Sequence, residues 1–512
     1  MTGLGLNQKL EWMPIATEEL REATPSVGRP ASAARCALLL FAGFSFFYLL
    51  TSSGRVRTMD EYMSFFETES IALRHSTAVP QAVELNYYYG KYDTRGEPRP
   101  PYPPGQPLVA APWYLFGRFV LARLPGVPAS ASPFVLGAAV CFSNAFIAAA
   151  AVAFLFLICQ ALGLDRRRSF CVAGIVGIAT PVFAYSSWFY SEPLTTALMM
   201  AAAYFVFARQ IGEPVPVRAA ALGGALLGFA VFVRPIHVLA PAVFLVAMLV
   251  RDRAKAMWPA LAFGACSAAG LAVLLLYNFQ LFGNAFDFGY PAVAEGGRRM
   301  IGFATPLLTG LYGFLLSPGK SIFLFAPPLL LAVFGLPQLW RKDRGLATMA
   351  VGLLLAYLAF YVKYTQWEGG YCVGPRYLVP TLAMCCIALA PILANLNKRT
   401  GIAMMALTIL GAAVQVISMA TSFMESQVPA GVYYDRNWNY QIHYSIWSQV
   451  RLLGHHLTNR APAGLGLGFD RWFVFLGKAG VGHATLLAVF CVMLAAEIAS
   501  LVALRRALRR SA

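Results

Sequence analysis

The sequence predicts an all-α, polytopic membrane protein with about twelve transmembrane helices. Three observations carry that expectation. Of 512 residues, 58% are hydrophobic and 12% charged, about half the charged share of a soluble domain. Apolar runs of about 18 residues or more recur along the chain, each enough to cross a hydrocarbon core of about 30 Å. The 40 Lys and Arg exceed the 23 Asp and Glu, a formal charge of +17. They fall in short clusters between apolar runs, the pattern of cytoplasmic loops, so nucleic acid is not expected as a partner.

Residues 1–36 read as a polar, cytoplasmic leader. Glu11, Glu18, Glu19 and Glu22 interrupt it, and no apolar stretch precedes Cys36, so it does not resemble a cleavable signal. The remainder, 37–504, forms one transmembrane domain, followed by a basic cytoplasmic tail, 505–512. The first span covers 37–54 and opens into a first outer loop, 55–131. Within that loop, residues 58–75 suggest a helix lying on the membrane surface, with Met63, Phe66 and Ile71 toward lipid and Glu67, Glu69 and Arg74 toward water. Residues 107–124, with Trp113, Phe116 and Phe119 against Arg118 and Arg123, suggest a second.

Span two (132–162) returns to Asp165-Arg166-Arg167-Arg168, and span three (170–188) leads to the turn Tyr190-Ser191-Glu192-Pro193. Span four (194–208) goes back to Arg209 and Arg218. Spans five and six hinge at Arg234-Pro235 and end at Arg251-Asp252-Arg253; span seven covers 257–281. The outer loop 282–305 holds Glu295, Arg298 and Arg299, and 306–316 is too short to cross. After Ser317-Pro318-Gly319-Lys320, span eight descends to Arg341-Lys342 and span nine (346–362) rises to Trp367-Glu368 and Gly374-Pro375-Arg376-Tyr377. Span ten falls to Lys398-Arg399, span eleven rises to a last outer loop, 423–480, and span twelve ends at Arg505-Arg506. With the N-terminus inside, every short basic cluster lies in the cytoplasm; shifting the parity by one puts all of them outside. The chain is therefore expected in the inner (cytoplasmic) membrane with both termini cytoplasmic.

In that topology the polar chemistry collects at outer helix ends: Asp60, Glu61, Glu192, Arg234, Lys320, Glu368 and Arg376. Intramembrane charges are nearly absent, Glu497 being the clear candidate, which argues against an ion-coupled transporter. Carboxylates and cations at a membrane boundary suit a polyprenyl-phosphate-linked sugar: the tail stays in lipid, the phosphate meets cations and the sugar projects toward a carboxylate. No phosphate-cradling glycine motif occurs, so the leaving group is expected to arrive on the lipid.

These residues resemble the GT-C superfamily of lipid-carrier-dependent membrane glycosyltransferases, which includes protein O-mannosyltransferases and the lipid A aminoarabinose transferase. The resemblance rests on Asp60-Glu61 after the first span, Tyr102-Pro103-Pro104-Gly105, Ser191-Glu192-Pro193, Ser317-Pro318-Gly319-Lys320 followed by Pro327-Pro328, and Gly374-Pro375-Arg376-Tyr377. It implies a GT-C fold with interfacial helices in the first outer loop. It also implies Asp60 as catalytic base and Glu192 as a second acidic residue, with Glu61 beside them. This chain departs at Tyr102, where better-known members carry a basic residue, so donor-phosphate binding passes to Arg376, Lys320 or Arg234. Tyr102, Glu368 and Tyr377 are candidates for contacting substrate. The expected reaction is inverting transfer of a sugar from a polyprenyl-phosphate donor to a hydroxyl of a glycan, lipid or protein acceptor. No cofactor is required by it; a divalent metal stays open, since Asp60, Glu61 and Glu192 could ligate one.

Structural roles compete for the same residues. Asp60 could simply cap the helix that follows, and Glu192 before Pro193 suits a helix start. Arg234 and Arg376 could anchor helix ends at headgroups. His75, His443, His455 and His456 lack ligand spacing, and Tyr87, Tyr88, Tyr89, Trp438 and Trp447 read as interfacial aromatics. The competing function is a transporter or flippase of lipid-linked sugars, which shares the substrate but makes no bond. A non-catalytic envelope partner would scatter Asp60, Glu192 and Arg376 over the surface.

Overall fold

The structure, a computed structural model, describes residues 30–124, 127–290, 302–424, 445–458 and 469–509. Helices dominate; one two-stranded antiparallel ribbon pairs Lys91 with Arg99 and Tyr92 with Pro98. Side-chain caps set several helix starts. Asp165 accepts from the Arg168 amide before Arg166–Ala179, and Asp343 accepts from Leu346 before Arg344–Tyr361. Asn397 and Thr400 form a reciprocal capping box at the start of Lys398–Ala420.

Among the described residues, twelve helical runs follow one another along the main body: 30–51, 132–161, 166–185, 192–206, 217–233, 235–252, 257–282, 322–342, 344–361, 376–394, 398–420 and 483–509. Their order follows that of the expected spans, with the first run starting seven residues earlier than expected. Seven stretches of the described residues are long and apolar enough to cross a membrane by length and composition, among them Ala129–Ala161, Pro235–Phe282 and His483–Arg509. The chain is a multi-pass, all-α membrane protein. The other runs are short or broken by proline. Pro181 restarts the third run and Pro235 the sixth, while Pro327 and Pro328 interrupt the eighth, each removing an amide donor and clashing with the preceding turn. Val217–Val233 and Met257–Phe282 approach closely through Gly228 and Gly270, where any Cβ would run into the facing backbone.

Alternation of the runs gathers the basic clusters at one end of the bundle. There Arg251 pairs with Asp343 at 3.2 Å, and Arg168 donates to the Ala394 carbonyl at 3.2 Å. The opposite end carries the first-loop helices, the ribbon, the short Leu307–Leu315 helix and the loop before Arg376. It is tied by backbone bonds from Trp472 to Ser52 and from Thr94 to Leu281.

The Met59–Arg74 helix corrects the surface-lying expectation. Its bounds agree, but Met63, Phe65 and Phe66 are buried with Val79, Ala110, Tyr114, Cys141 and Phe189, and so face protein and not lipid. Glu67, expected in water, is fully buried, and burial raises its pKa well above the ordinary carboxyl value. The helix has two covered faces because Gly105–Leu121 and the Pro80–Glu84 segment pack against it; a single-helix amphipathic reading could not anticipate that second layer. Gly105–Leu121 itself exposes Leu108, Leu115, Phe116 and Phe119, as an interfacial helix does.

Candidate active site

Three segments distant in sequence deliver a charged cluster to one end of the bundle. The first is the turn into the Met59–Arg74 helix, where Thr58 and Glu61 form a reciprocal capping box. Glu61 is fully buried and its oxygens accept from the amides of Arg57 (3.1 Å), Thr58 (3.0 Å) and Phe189 (3.0 Å). It fastens the first loop to the loop that precedes Glu192, and its carboxylate is spent on backbone donors. Asp60, in the same first turn, points the other way and is 26% exposed.

The second segment is the start of Glu192–Val206, and the third is the loop 366–376. That loop turns at Gly369, Gly370 and Gly374, with φ of 81°, 69° and 62°, angles a side chain would resist. It places Arg376, 3% exposed, between the two acids. Arg376 Nη1 donates to Asp60 Oδ2 at 2.7 Å and Nε to Glu192 Oε1 at 2.8 Å. The guanidinium lies 3.9 Å over the Tyr190 ring, a favourable cation–π arrangement in a desolvated site. Glu192 Oε2 and Arg376 Nη2 are buried and meet no partner among the described residues.

Arg234 follows Val217–Val233 and approaches from the opposite side. Its Nη2 is 4.0 Å from Asp60 Oδ2, and its guanidinium stands 4.8 Å over the Tyr102 ring. Tyr102 donates its hydroxyl to Asp60 Oδ1 at 2.5 Å. Burial works to raise the Asp60 pKa, but the charges of Arg376 and Arg234 and the Tyr102 hydrogen bond outweigh it and hold the carboxyl below its ordinary range. Burial and the adjacent Asp60 charge push Tyr102 up, so it keeps the proton it donates. A small pocket opens beside Asp60, lined by Ser64, Tyr102, Gln106, Ser191 and Arg234 among others. An ionised carboxylate at such a pocket can take a proton from a hydroxyl, and a guanidinium beside it can pair an anion.

Of the nine residues singled out from sequence, Asp60, Glu192, Arg376, Arg234 and Tyr102 converge. Lys320 stands back from them: its Nζ donates to the Cys372 carbonyl at 3.0 Å and contacts Sγ at 3.1 Å, bracing the loop that carries Arg376. Tyr377 stacks on Tyr361 with centroids 4.2 Å apart, and the Glu368 carbonyl accepts from Cys372 Sγ at 3.5 Å. Asp60, Glu61 and Glu192 do not form a metal-ligand set. Arg376 stands between Asp60 and Glu192, Glu61 faces backbone amides, and no three His, Cys, Asp or Glu come together among the described residues. His75 is exposed and closes the Met59–Arg74 helix in a left-handed conformation. Arg298, Arg299, Trp438 and His443 lie outside the described residues.

Sequence reasoning missed the polar frame beneath the cluster. Asn144, fully buried inside Ser132–Ala161, donates to the carbonyls of Trp188 (2.6 Å) and Tyr190 (2.7 Å) and accepts from Gln106 Nε2 (3.1 Å). A single Asn in a long apolar span was the available signal. Arg57, buried, pairs with Asp470 at 2.6 Å and joins the first loop to the last; the two stand 413 positions apart, and nothing local marks that pair.

Among solved structures, the chain is similar to ArnT from Cupriavidus metallidurans in the apo state, with 14% identity, a TM-score of 0.46, and 92% of this chain and 75% of that one covered. The same protein bound to undecaprenyl phosphate gives 15% identity, a TM-score of 0.45, and coverage of 93% and 78%. The oligosaccharyltransferase of Archaeoglobus fulgidus in the apo form gives 12% identity, a TM-score of 0.47, and coverage of 75% and 55%. This chain spans about half the length of the archaeal protein. No family model matches the sequence, and no curated protein matches it.

Proposed function

We propose that this chain is a GT-C-type membrane glycosyltransferase. It moves a sugar from a polyprenyl-phosphate donor to an acceptor hydroxyl on the outer, periplasmic face of the inner membrane. The observation that carries the reading is the convergence of Asp60, Glu192 and Arg376 on one another, with Arg234 alongside. Scattered placement would have removed it. The side is argued from charge: the cluster sits at the end of the bundle opposite the basic loops, which the positive-inside rule keeps in the cytoplasm.

The acceptor oxygen attacks the anomeric carbon on the face away from the phosphate. Its O–C bond forms as the C–O bond to phosphate breaks, the electron pair leaves on the phosphate oxygen, and the acceptor proton passes to Asp60. Configuration inverts. With its pKa held down, Asp60 is ionised throughout the neutral range and is a weak base. It suffices when the proton moves late, after bond formation has made the attacking oxygen acidic.

Arg376 is the positioning residue of this site. Two of its three nitrogens are committed to Asp60 and Glu192, so it fixes the base. Arg234, at the pocket and at longer range from Asp60, is the cation for the departing phosphate. Lys320 acts through the Cys372 loop. Glu61 acts through the fold of the first loop.

The test uses purified protein with a panel of polyprenyl-phosphate sugars of defined anomeric configuration. Polyprenyl phosphate released in equal amount with a product of opposite configuration is the expected result. Passage of the intact lipid-linked sugar across a bilayer, with no bond broken, would overturn the proposal in favour of a flippase.

A further inference from the structure

The pocket beside Asp60 contains two polar side chains that the folding of the chain does not explain. Gln106 is 3% exposed. Asn144 commits its amide nitrogen to two carbonyls, so its Oδ1 is the atom left to face Gln106, which must answer with Nε2. That fixes the Gln106 amide and leaves Oε1 buried with no partner among the described residues. Ser191 is 6% exposed and occupies the N-cap position of Glu192–Val206. A serine there ordinarily caps with its hydroxyl, yet this one makes no capping bond, and its Oγ is likewise buried and unpartnered. Buried polar atoms are nearly always satisfied, so two orphans on one small pocket call for a ligand that supplies the missing bonds.

The chemistry of the pocket sets the class of that ligand. Asp60 and Gln106 Oε1 accept hydrogen bonds and cannot donate, and Ser191 can do either. A bound group must therefore bring several donors close together. A lone serine or threonine hydroxyl has one proton, which Asp60 takes, and would leave Gln106 and Ser191 unmet. A sugar ring carries neighbouring hydroxyls on adjacent carbons. We propose that the acceptor of the transfer is a carbohydrate, with one hydroxyl on Asp60 as nucleophile and a neighbouring hydroxyl read by Gln106 and Ser191. The inference rests on the glycosyl-transfer reading above and adds the acceptor class to it.

The experiment measures polyprenyl-phosphate release by the full chain with a panel of sugar donors and two acceptor arms: methyl glycosides of hexoses, heptoses and amino sugars, and a serine/threonine peptide pool. Ser191→Ala is the leading variant. Its hydroxyl has no partner in the fold, so the thermal midpoint is expected unchanged or higher. The KM for the glycoside is expected to rise roughly tenfold, the worth of one hydrogen bond. Gln106→Leu, which also breaks the bond to Asn144, is the second variant and is expected to raise the same KM. Release with peptide and not with glycoside would overturn the acceptor class while leaving the transferase standing. Release with glycoside at an unchanged KM in both variants would overturn the role of Gln106 and Ser191. No release with any donor and acceptor would overturn the transferase reading itself, and this inference with it.

Discussion

Replacing Arg376 by Gln perturbs the cluster most severely, because it removes a cation that neutralises two acids at once. The Arg376 side chain is 3% exposed and Glu192 is 6% exposed, so their 2.8 Å pair lies out of water. Taking away one member of such a pair leaves a buried charge uncompensated, a cost of about 3–5 kcal/mol. Asp60 adds less, since water reaches about a quarter of its side chain. Glu192→Gln alone strands the guanidinium in part, because Asp60 still holds Nη1 at 2.7 Å. The double variant removes both charges, so its cost is expected to fall short of the summed single costs by about 2 kcal/mol or more, beyond the ~0.5 kcal/mol scatter of independent sites. Unfolding in detergent, followed by thiol-reactive dye uptake at buried cysteines such as Cys372, Cys385 and Cys386, supplies the four corners of the cycle. Additive single effects would show that the two groups do not act as a pair, and the bridging role of Arg376 would be lost.

Three other outcomes follow from the same geometry. Because Asp60 has a depressed pKa in the folded protein, its pairing contributes fully above the unfolded aspartate value of about 3.9 and is lost as pH falls through the lower folded value. The Asp60-dependent part of turnover should therefore be flat from about pH 5 to 8, and an acid limb centred near neutrality would contradict that assignment. Glu61→Ala leaves three buried amides without an acceptor and should cost at least ~2 kcal/mol of stability; loss of turnover at wild-type stability would instead make Glu61 a direct participant. Lys320→Met should loosen the loop 366–376 and speed labelling of Cys372, with a stability loss of about 1–3 kcal/mol; unchanged labelling would refute the bracing role.

Much of the fold was legible because a bilayer imposes length and hydropathy on every crossing segment. The break at Arg234-Pro235 and the short helix near 306–316 were readable from local chemistry alone. Asp60, Glu192 and Arg376 were visible one by one as charges at helix ends, but not their geometry. Contacts spanning 316 and 184 residues leave no local trace, so the bridge that Arg376 makes between the two carboxylates was not legible. Glu61 and Lys320 could not be told apart from the clustered charges in sequence, because a charged residue near a site looks the same whether it serves the reaction or the backbone. The apolar face of the Met59–Arg74 helix was assigned to lipid because nothing local shows that Gly105–Leu121 covers it.

The central claim is that Asp60 takes the acceptor proton. It is tested most directly by measuring polyprenyl-phosphate release by purified wild type and Asp60→Asn with the same donor and acceptor. The asparagine keeps the size and part of the hydrogen bonding to Tyr102 and Arg376, so folding is expected to persist while the rate falls by about 10²–10⁴-fold. A folded Asp60→Asn protein that releases the lipid phosphate at the wild-type rate would contradict the account.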